Sequence, residues 1–317
     1  MKIPAKINLA EVPTPLQILK FEKSNFLIKR DDLTGCELSG NKIRKLEYIL
    51  ADAKKKKADI IFTCGGEQSN HARATTVAAK KIGLNTKLFL WGKNRQNING
   101  NLFLNKMYGA DIKFLNKKNY ENVNDLMFAE RKSLLKKNIN AYVLPEGGST
   151  TLGIWGYVDF INELRNQIDL RKIDSIVSAC GSGGTAAGML VGAAIYKLNV
   201  KIFAVNVLYS KEVIKKKILN LAKGCLMDYK INCKINPEQL IVIDGYSTEG
   251  YKRIAASKIK LIKKFAYETG IILDPAYTGK AFNAYYDFFL KSKRGSKNIF
   301  VHTGGIFGIF GRTKEYL

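Results

Sequence analysis

One lysine near the amino terminus is placed where its amine could become a covalent anchor. Lys42 follows the turn-forming segment 39–41, and the apolar residues Ile43, Leu46 and Leu50 recur after it at helical spacing. A lysine in the first turn of a helix faces the positive end of the helix dipole, which disfavours its ammonium form. A deprotonated amine can form a Schiff base with an aldehyde. An ordinary surface lysine of a basic protein would show the same local sequence. Other segments must therefore decide between a surface lysine and a covalent anchor.

Two further segments place polar residues at helix starts behind apolar strands. Residues 60–62 predict a buried strand and small residues from His71 onward predict a helix, so Ser69 and Asn70 fall at its start. The segment 175–190 predicts a strand, a Gly-rich loop and a helix, an arrangement that holds phosphate on backbone N–H groups. The loop lacks the Walker lysine and the dinucleotide-binding glycine spacing, so neither a nucleoside triphosphate nor NAD is favoured. Helix caps and plain glycine turns are the alternatives.

Length and composition leave room for two domains and predict no membrane span. The chain has 317 residues, 46% of them hydrophobic, which is enough to bury a large core. No apolar run approaches the ~20 residues that a spanning helix needs. The first residues contain no signal-like apolar stretch, which predicts a cytoplasmic location.

The charge and the cysteines favour neither nucleic acid nor metal. The net charge of +25 comes from 52 Lys and Arg against 27 Asp and Glu, scattered in short runs such as 54–57. No nucleic-acid-binding motif accompanies them, so a solvated basic surface is favoured and nucleic-acid binding is a distant alternative. Five cysteines without C-x-x-C spacing and two histidines predict reduced thiols and no metal site.

The chain alternates strand-like runs with longer helical stretches, which predicts parallel sheets covered by helices. The predicted strands are 59–63, 86–91, 111–114, 141–144, 175–178, 201–207 and 298–302. The predicted helices include 70–82 and 251–268.

Taken together, these segments resemble the pyridoxal-phosphate enzymes of the D-cysteine desulfhydrase and 1-aminocyclopropane-1-carboxylate (ACC) deaminase family, within the tryptophan synthase β-like group. The matching motifs cover nearly the whole chain: PTPL (13–16), KRDDLTG (29–35), SGNKIRKLE (39–47), GGEQSNHARAT (65–75), PEGGSTTLGIWGY (145–157), ACGSGGTAAG (179–188), ILDPAYTGKA (272–281) and HTGG (302–305). The resemblance implies an α/β fold with a large domain (1–43 and 159–317), a small inserted domain (44–158) and pyridoxal 5'-phosphate in the cleft between them. It also implies a homodimer that acts on a small amino acid.

The same resemblance implies a role for each matching residue. Lys42 would hold the cofactor and, once a substrate displaces it, move a proton at the substrate's Cα. Asn70 would bond the cofactor's 3-hydroxyl, and Ser69 would lie near the substrate's carboxylate and Cα, unless both only cap a helix. His71 is a further substrate contact, although a structural histidine is the commoner case. Thr303 would meet the pyridine nitrogen. The phosphate would be held by Gly181, Ser182, Gly183, Gly184 and Thr185.

Substrate choice depends on the residues around Tyr277. In the family's ACC deaminases a glutamate follows this tyrosine, whereas the desulfhydrases have a small hydroxyl residue, and this chain has Thr278. The resemblance therefore implies β-elimination of D-cysteine to pyruvate, hydrogen sulfide and ammonia, with Tyr277 as acid or base and Thr278 and Tyr246 as substrate contacts. Alternatively, the Tyr277 ring only fills part of the cleft wall and takes no part in the reaction.

Other reactions remain open at this stage. ACC deamination, racemisation and elimination from another β-substituted amino acid use the same cofactor. Glu67 and Glu146 are acidic where many family members have neutral residues, so an amine-bearing substrate is a further possibility.

Overall fold

The computed structural model describes residues 1–94, 96, 98–250 and 253–316, which form two β-sheets covered by helices. The strands in this part are β1 (Leu16–Phe21), β2 (Ser24–Lys29), β3 (Ile60–Gly66), β4 (Asn85–Trp91), β5 (Asp111–Leu115), β6 (Ala141–Val143), β7 (Ser175–Cys180), β8 (Lys201–Asn206), β9 (Leu240–Ile243) and β10 (Asn298–Val301).

Helices follow most of these strands. Those in the described residues are α1 (Lys42–Lys55), α2 (Asn70–Lys81), α3 (Gly100–Met107), α4 (Lys117–Glu121), α5 (Val123–Leu135), α6 (Trp155–Gln167), α7 (Gly184–Ile195), α8 (Lys211–Asp228), α9 (Ala256–Thr269), α10 (Thr278–Tyr285), α11 (Ile306–Ile309) and α12 (Thr313–Tyr316). A π-helical turn, Tyr286–Leu290, continues α10. Short 3-10 turns cover Asp31–Leu33, Glu146–Gly148, Leu170–Lys172, Pro237–Gln239 and Gly295–Lys297.

The sheets are almost entirely parallel, as the alternation of strands and helices predicts. Within the described ranges, the larger sheet has the order β1-β2-β10-β7-β8-β9 and the smaller has the order β5-β4-β3-β6. Among these ten strands, only β1 and β2 pair in the antiparallel sense, at one edge of the larger sheet. The smaller sheet is built from residues 60–143 alone. The domain bounds 44–158 stay a prediction.

The central strands are buried because their sequences are continuous runs of apolar and small residues. Every residue of β7 and β10 is buried, which is typical of parallel strands covered on both faces. Alternate residues of β7 face opposite sides, so Ile176 packs with α6 and α7, and Val177 packs with α9 and α10. The larger sheet is therefore a rigid support for the loops at its strand ends.

The seven strands predicted from the sequence are confirmed, within two or three residues at their ends. The predicted helix 70–82 is α2, while the predicted helix 251–268 begins only at Ala256. Residues 251 and 252 lie outside the described part of the chain. Strands β1, β2 and β9 were not among the predicted strands.

A buried network of charges fixes the first turns of α1. The Arg44 guanidinium donates to both carboxylate oxygens of Asp31, at 2.8 and 3.0 Å, and to Glu163 at 2.8 Å. Lys29 pairs with the same Glu163, and Tyr157 donates to Asp31 at 2.6 Å. Each buried charge has a partner of opposite charge. Removing one of them would leave an unpaired buried charge and would destabilise the fold. The network joins α1 to β2 and α6.

The described residues form neither a membrane-spanning helix nor a cluster of metal ligands. Among the described helices, none combines the length and apolar character needed to cross a bilayer. In the same residues no group of three or more His, Cys, Asp or Glu is arranged to hold a metal ion. All five cysteines are free thiols.

Candidate active site

A cleft lies where loops from the two sheets meet. Its walls come from the start of α1, the turn after β3, the loop between β7 and α7, and the end of β10. These are carboxyl ends of parallel strands and amino ends of helices, the usual place for ligands in open α/β sheets. Eleven of the residues predicted to form the site line this cleft: Lys42, Ser69, Asn70, His71, Gly181, Ser182, Gly183, Gly184, Thr185, Tyr277 and Thr303.

Lys42 is the first residue of α1, and the loop before it is held against the larger sheet. The Asn41 amide donates to the Thr303 carbonyl at 3.1 Å, and the Asn41 side chain donates to the Thr185 hydroxyl at 3.0 Å. Burial lowers the pKa of Lys42 to about 8, against the opposing effect of the Glu146 carboxylate. More of this amine is therefore deprotonated at neutral pH than in an ordinary lysine, as a Schiff-base nucleophile requires.

The loop between β7 and α7 forms a backbone cradle. Gly183 precedes α7 with φ +87°, a conformation that favours glycine. A Cβ on Gly184 would lie 2.5 Å from the Ser149 Oγ and 2.7 Å from the Lys45 Nζ, so both side chains would have to move to admit one. The first N–H groups of α7 have no partner within the helix and are available to an anion.

Lys45 is a cleft residue that the sequence motifs did not single out. Its side chain is buried, and its Nζ lies 3.4 Å from the Gly147 carbonyl and 3.3 Å from the Ser149 hydroxyl. Burial, followed by the charge of Lys42, lowers the pKa of Lys45 well below its ordinary value. The sequence feature that points to Lys45 is its spacing from Lys42, because residues three apart on a helix share a face. Lys45 thus lies beside the cradle with an amine that an anion would stabilise as ammonium.

Ser69 and Asn70 lie at the start of α2, where each has a local bond. The Ser69 Oγ accepts a hydrogen bond from the Ala72 amide at 3.1 Å, so it caps the helix. The Asn70 Oδ1 accepts from the Asn101 side chain at 2.8 Å. As a cap, Ser69 uses a lone pair and keeps its hydroxyl proton. Capping and substrate contact are therefore compatible in one serine.

Replacing Ser69 by alanine should separate these two roles. We expect Ser69→Ala to retain the cofactor, to lose most turnover, and to lose about 1 kcal/mol of unfolding free energy with the cap. Ser210, which caps α8 by accepting from the Val213 amide, is the matched control. Ser210→Ala should weaken stability alone. Urea unfolding and single-turnover rates measure the two effects, and unchanged turnover in Ser69→Ala would leave the serine as a cap only.

His71 and Cys180 line the cleft as neutral groups. The His71 Nε2 lies 2.9 Å from the Thr63 hydroxyl, which donates to the Leu144 carbonyl. Burial, then the charges of Lys42 and Lys45, lowers the pKa of His71 well below its ordinary value. Burial raises the pKa of the Cys180 thiol to about 12. Neither side chain adds charge to the cleft near neutral pH.

The structure does not bring Thr278 and Tyr246 to the cleft lining. Thr278 is fully buried, and its hydroxyl donates to the Asp274 carboxylate at 2.7 Å while accepting from the Asp274 amide at 2.8 Å. The Tyr246 hydroxyl donates to Asp287 at 2.8 Å on an exposed surface. Both hydroxyls donate to carboxylates outside the cleft, Thr278 to Asp274 and Tyr246 to Asp287. Tyr277 itself does line the cleft, and its ring covers Gly181.

The two unusual carboxylates are also separated. Glu146 lines the cleft, close to the Gly-rich loop. Glu67 lines an adjoining chamber of about 190 Å³, which shares Asn70 and Tyr277 with the cleft. They therefore do not form one acidic pocket for an amine.

Comparison with known proteins identifies the family. The model of the family described as "Pyridoxal-phosphate dependent enzyme" matches residues 7–304. The chain belongs to this family.

Individual members of the family are similar along most or all of their length. A Thermotoga maritima protein with an unproven assignment as an ACC deaminase is 40% identical, covering 98% of this chain and 99% of the relative. The mitochondrial bifunctional D-cysteine desulfhydrase/ACC deaminase of Arabidopsis thaliana is 34% identical, covering 97% and 80%. A solved structure described as an ACC deaminase homologue superposes with a TM-score of 0.89 at 36% identity, covering 99% and 95%. The fold is thus that of the tryptophan synthase β-like pyridoxal-phosphate enzymes.

The donors in the cleft fit the family's cofactor. Lys42 is an amine with a lowered pKa, and the Gly-rich loop offers backbone donors where an added side chain would crowd its neighbours. In the described part of the chain, the buried Lys45 amine has neutral bonding partners, so a phosphate would supply the missing anion. When bound, pyridoxal phosphate supplies the electron sink that acidifies the substrate's Cα–H bond.

Proposed function

We propose that this pyridoxal-phosphate enzyme eliminates hydrogen sulfide from D-cysteine. The Cα–H and Cβ–S bonds break, and water hydrolyses the remaining enamine to pyruvate and ammonia. The observation that carries the choice is the residue after Tyr277. Thr278 is a neutral residue whose hydroxyl is held by Asp274, so the glutamate that marks the family's ACC deaminases is absent from that position.

The residues of the cleft have separate tasks in this reaction. The Gly-rich loop and Lys45 would hold the phosphate, and Thr303, which lines the same cleft, would meet the pyridine nitrogen. Lys42, once displaced by the substrate's amino group, accepts the Cα proton on its Nζ. The Ser69 hydroxyl and the start of α2 bind the substrate carboxylate, which fixes the Cα–H bond in one orientation. Tyr277 lies across the cleft, beside the chamber where the thiol group would leave.

ACC deamination is the second candidate. The names of the Thermotoga and Arabidopsis relatives and of the similar solved structure all include this activity. The Arabidopsis name includes both activities, so the two reactions occur together in one member of this family. Opening of the ACC ring requires the same cofactor and the same lysine.

A comparison of substrates tests the proposal. We expect kcat/KM for D-cysteine to exceed that for ACC by at least about tenfold, because each lost polar contact costs roughly 1.4 kcal/mol or more. Pyruvate and sulfide release measure the first reaction, and 2-oxobutyrate release measures the second. L-Cysteine is the matched control for chirality and should react more slowly than D-cysteine. A preference for ACC would make this chain a deaminase and would show that Thr278 does not discriminate.

A further inference from the structure

Among the described residues that line the cleft, Glu146 is the one with a carboxylate. The family motifs named above give this residue no role. It lies in the loop between β6 and α6, next to Gly147, whose φ of +73° turns the chain sharply. The following loop residues contact the site directly. Ser149 lies 2.7 Å from the Ser182 hydroxyl and 3.3 Å from the Lys45 Nζ.

Glu146 also contacts a residue outside the cleft lining. The Tyr120 hydroxyl donates to the Glu146 Oε1 at 3.4 Å. Both residues line a second chamber of about 730 Å³, which opens between α8 and the loop that carries Glu146. The Glu146 side chain is exposed to this chamber, so it can exchange protons with solvent while it faces the cleft.

The charges around Glu146 and Lys42 come from several elements. Lys45 on α1, His71 on α2 and Cys180 on β7 face Lys42, while Tyr120, Cys64 and Lys217 face Glu146. Near neutral pH, His71 and the two thiols are uncharged, because burial shifts the pKa of each away from neutrality. A bound phosphate would pair with Lys45. Glu146 is then the carboxylate left to act on Lys42.

We propose that Glu146 is a positioning residue that stabilises the ammonium form of Lys42 whenever that lysine is free of the cofactor. Lys42 becomes an ammonium when it accepts the Cα proton, and a nearby carboxylate lowers the free energy of that state. If the substrate is D-cysteine, as proposed above, the proton then passes to the departing hydrosulfide, which leaves as hydrogen sulfide; the role of Glu146 does not depend on this last step. Because Glu146 also faces the open chamber, it can pass protons between Lys42 and solvent between turnovers.

The pH dependence of cofactor attachment tests this proposal without turnover. In cofactor-free protein, the rate at which Lys42 binds pyridoxal phosphate should rise with pH up to about 8, the pKa of its amine, and then level off. The Glu146 carboxylate raises the pKa of Lys42, so removing this carboxylate should lower that pKa. We therefore expect Glu146→Gln to move the inflection down by roughly one pH unit. Stopped-flow absorbance between pH 6 and 10 measures the shift.

Two variants control the experiment. Glu146→Asp keeps the charge and should keep the inflection near the parent value. Glu121→Gln removes a carboxylate that lines the chamber but not the cleft, and it should leave the profile unchanged. A Glu146→Gln profile that superimposes on the parent profile would overturn the proposal.

The proposal rests on Lys42 as the cofactor lysine but not on the identity of the substrate. Borohydride fixation before digestion reports which lysine carries the cofactor mass. A mass on another lysine would overturn both the assignment of Lys42 and the role of Glu146. A protein that prefers ACC would contradict only the proposed substrate, because attachment of the cofactor precedes any substrate.

Discussion

Replacing Lys42 by alanine should lower turnover by at least about 10³-fold, because one change removes both the covalent anchor and the proton acceptor at Cα. The parent protein should absorb in the visible range with pyridoxal phosphate bound. Borohydride should abolish that band and fix the cofactor mass on the peptide that contains Lys42. The Lys42→Ala variant should bind cofactor without this linkage, which mass spectrometry and dialysis can show.

Lys45 provides the matched control on the same helix face. Its side chain is buried, whereas Lys42 is half-buried, and the Lys45 amine faces Gly147 and Ser149 beside the cradle. We expect Lys45→Ala to keep the covalent linkage and to weaken cofactor retention, since it removes positive charge next to the phosphate. If Lys42→Ala retained the borohydride-sensitive band and the parent's turnover, another lysine would be the anchor.

The sequence predicts the parallel centre of the fold better than its edges. The strands β7 and β10 are continuous buried runs, and such runs are visible in a sequence. The edge strand β1 exposes Ile18 and two other residues, so its pattern is close to that of a loop. Its partner β2 joins β10, about 270 residues later in the chain. Long-range pairing of this kind leaves no local signal.

Within the candidate site, the sequence predicts which loops meet but not how each side chain is bound. Lys42, Ser69 and Tyr277 reach the cleft because helix starts and strand ends are local features. Thr278 does not reach it, since Asp274 four residues earlier captures its hydroxyl in the first turn of α10. Lys45 is one lysine among many in the chain, and only its spacing from Lys42 marks it. The cytoplasmic location and the homodimer stay predictions, because neither leaves a mark within a single chain.

Replacing Gly183 by aspartate should remove most cofactor binding, the second large effect expected. Gly183 has φ +87°, and a Cβ there would lie 3.0 Å from the Ile218 side chain, so an added side chain strains the loop. The new carboxylate would also repel the phosphate at close range. We expect the apparent Kd for pyridoxal phosphate to rise by at least about 100-fold, which corresponds to roughly 2.7 kcal/mol. Absorbance titration of cofactor-free protein measures it.

The same substitution elsewhere separates local strain from the loss of a site. Gly83, just after α2, has φ +81° and is exposed, and a Cβ added there would have no neighbouring atom within 4 Å. Gly83→Asp therefore carries a similar conformational cost without touching the cleft, and it should bind the cofactor like the parent. Thermal unfolding should show a loss of stability in both cofactor-free variants, larger in Gly183→Asp because of the Ile218 contact, while only Gly183→Asp loses affinity. Equal affinity in the two variants would mean that the phosphate lies outside the Gly-rich loop.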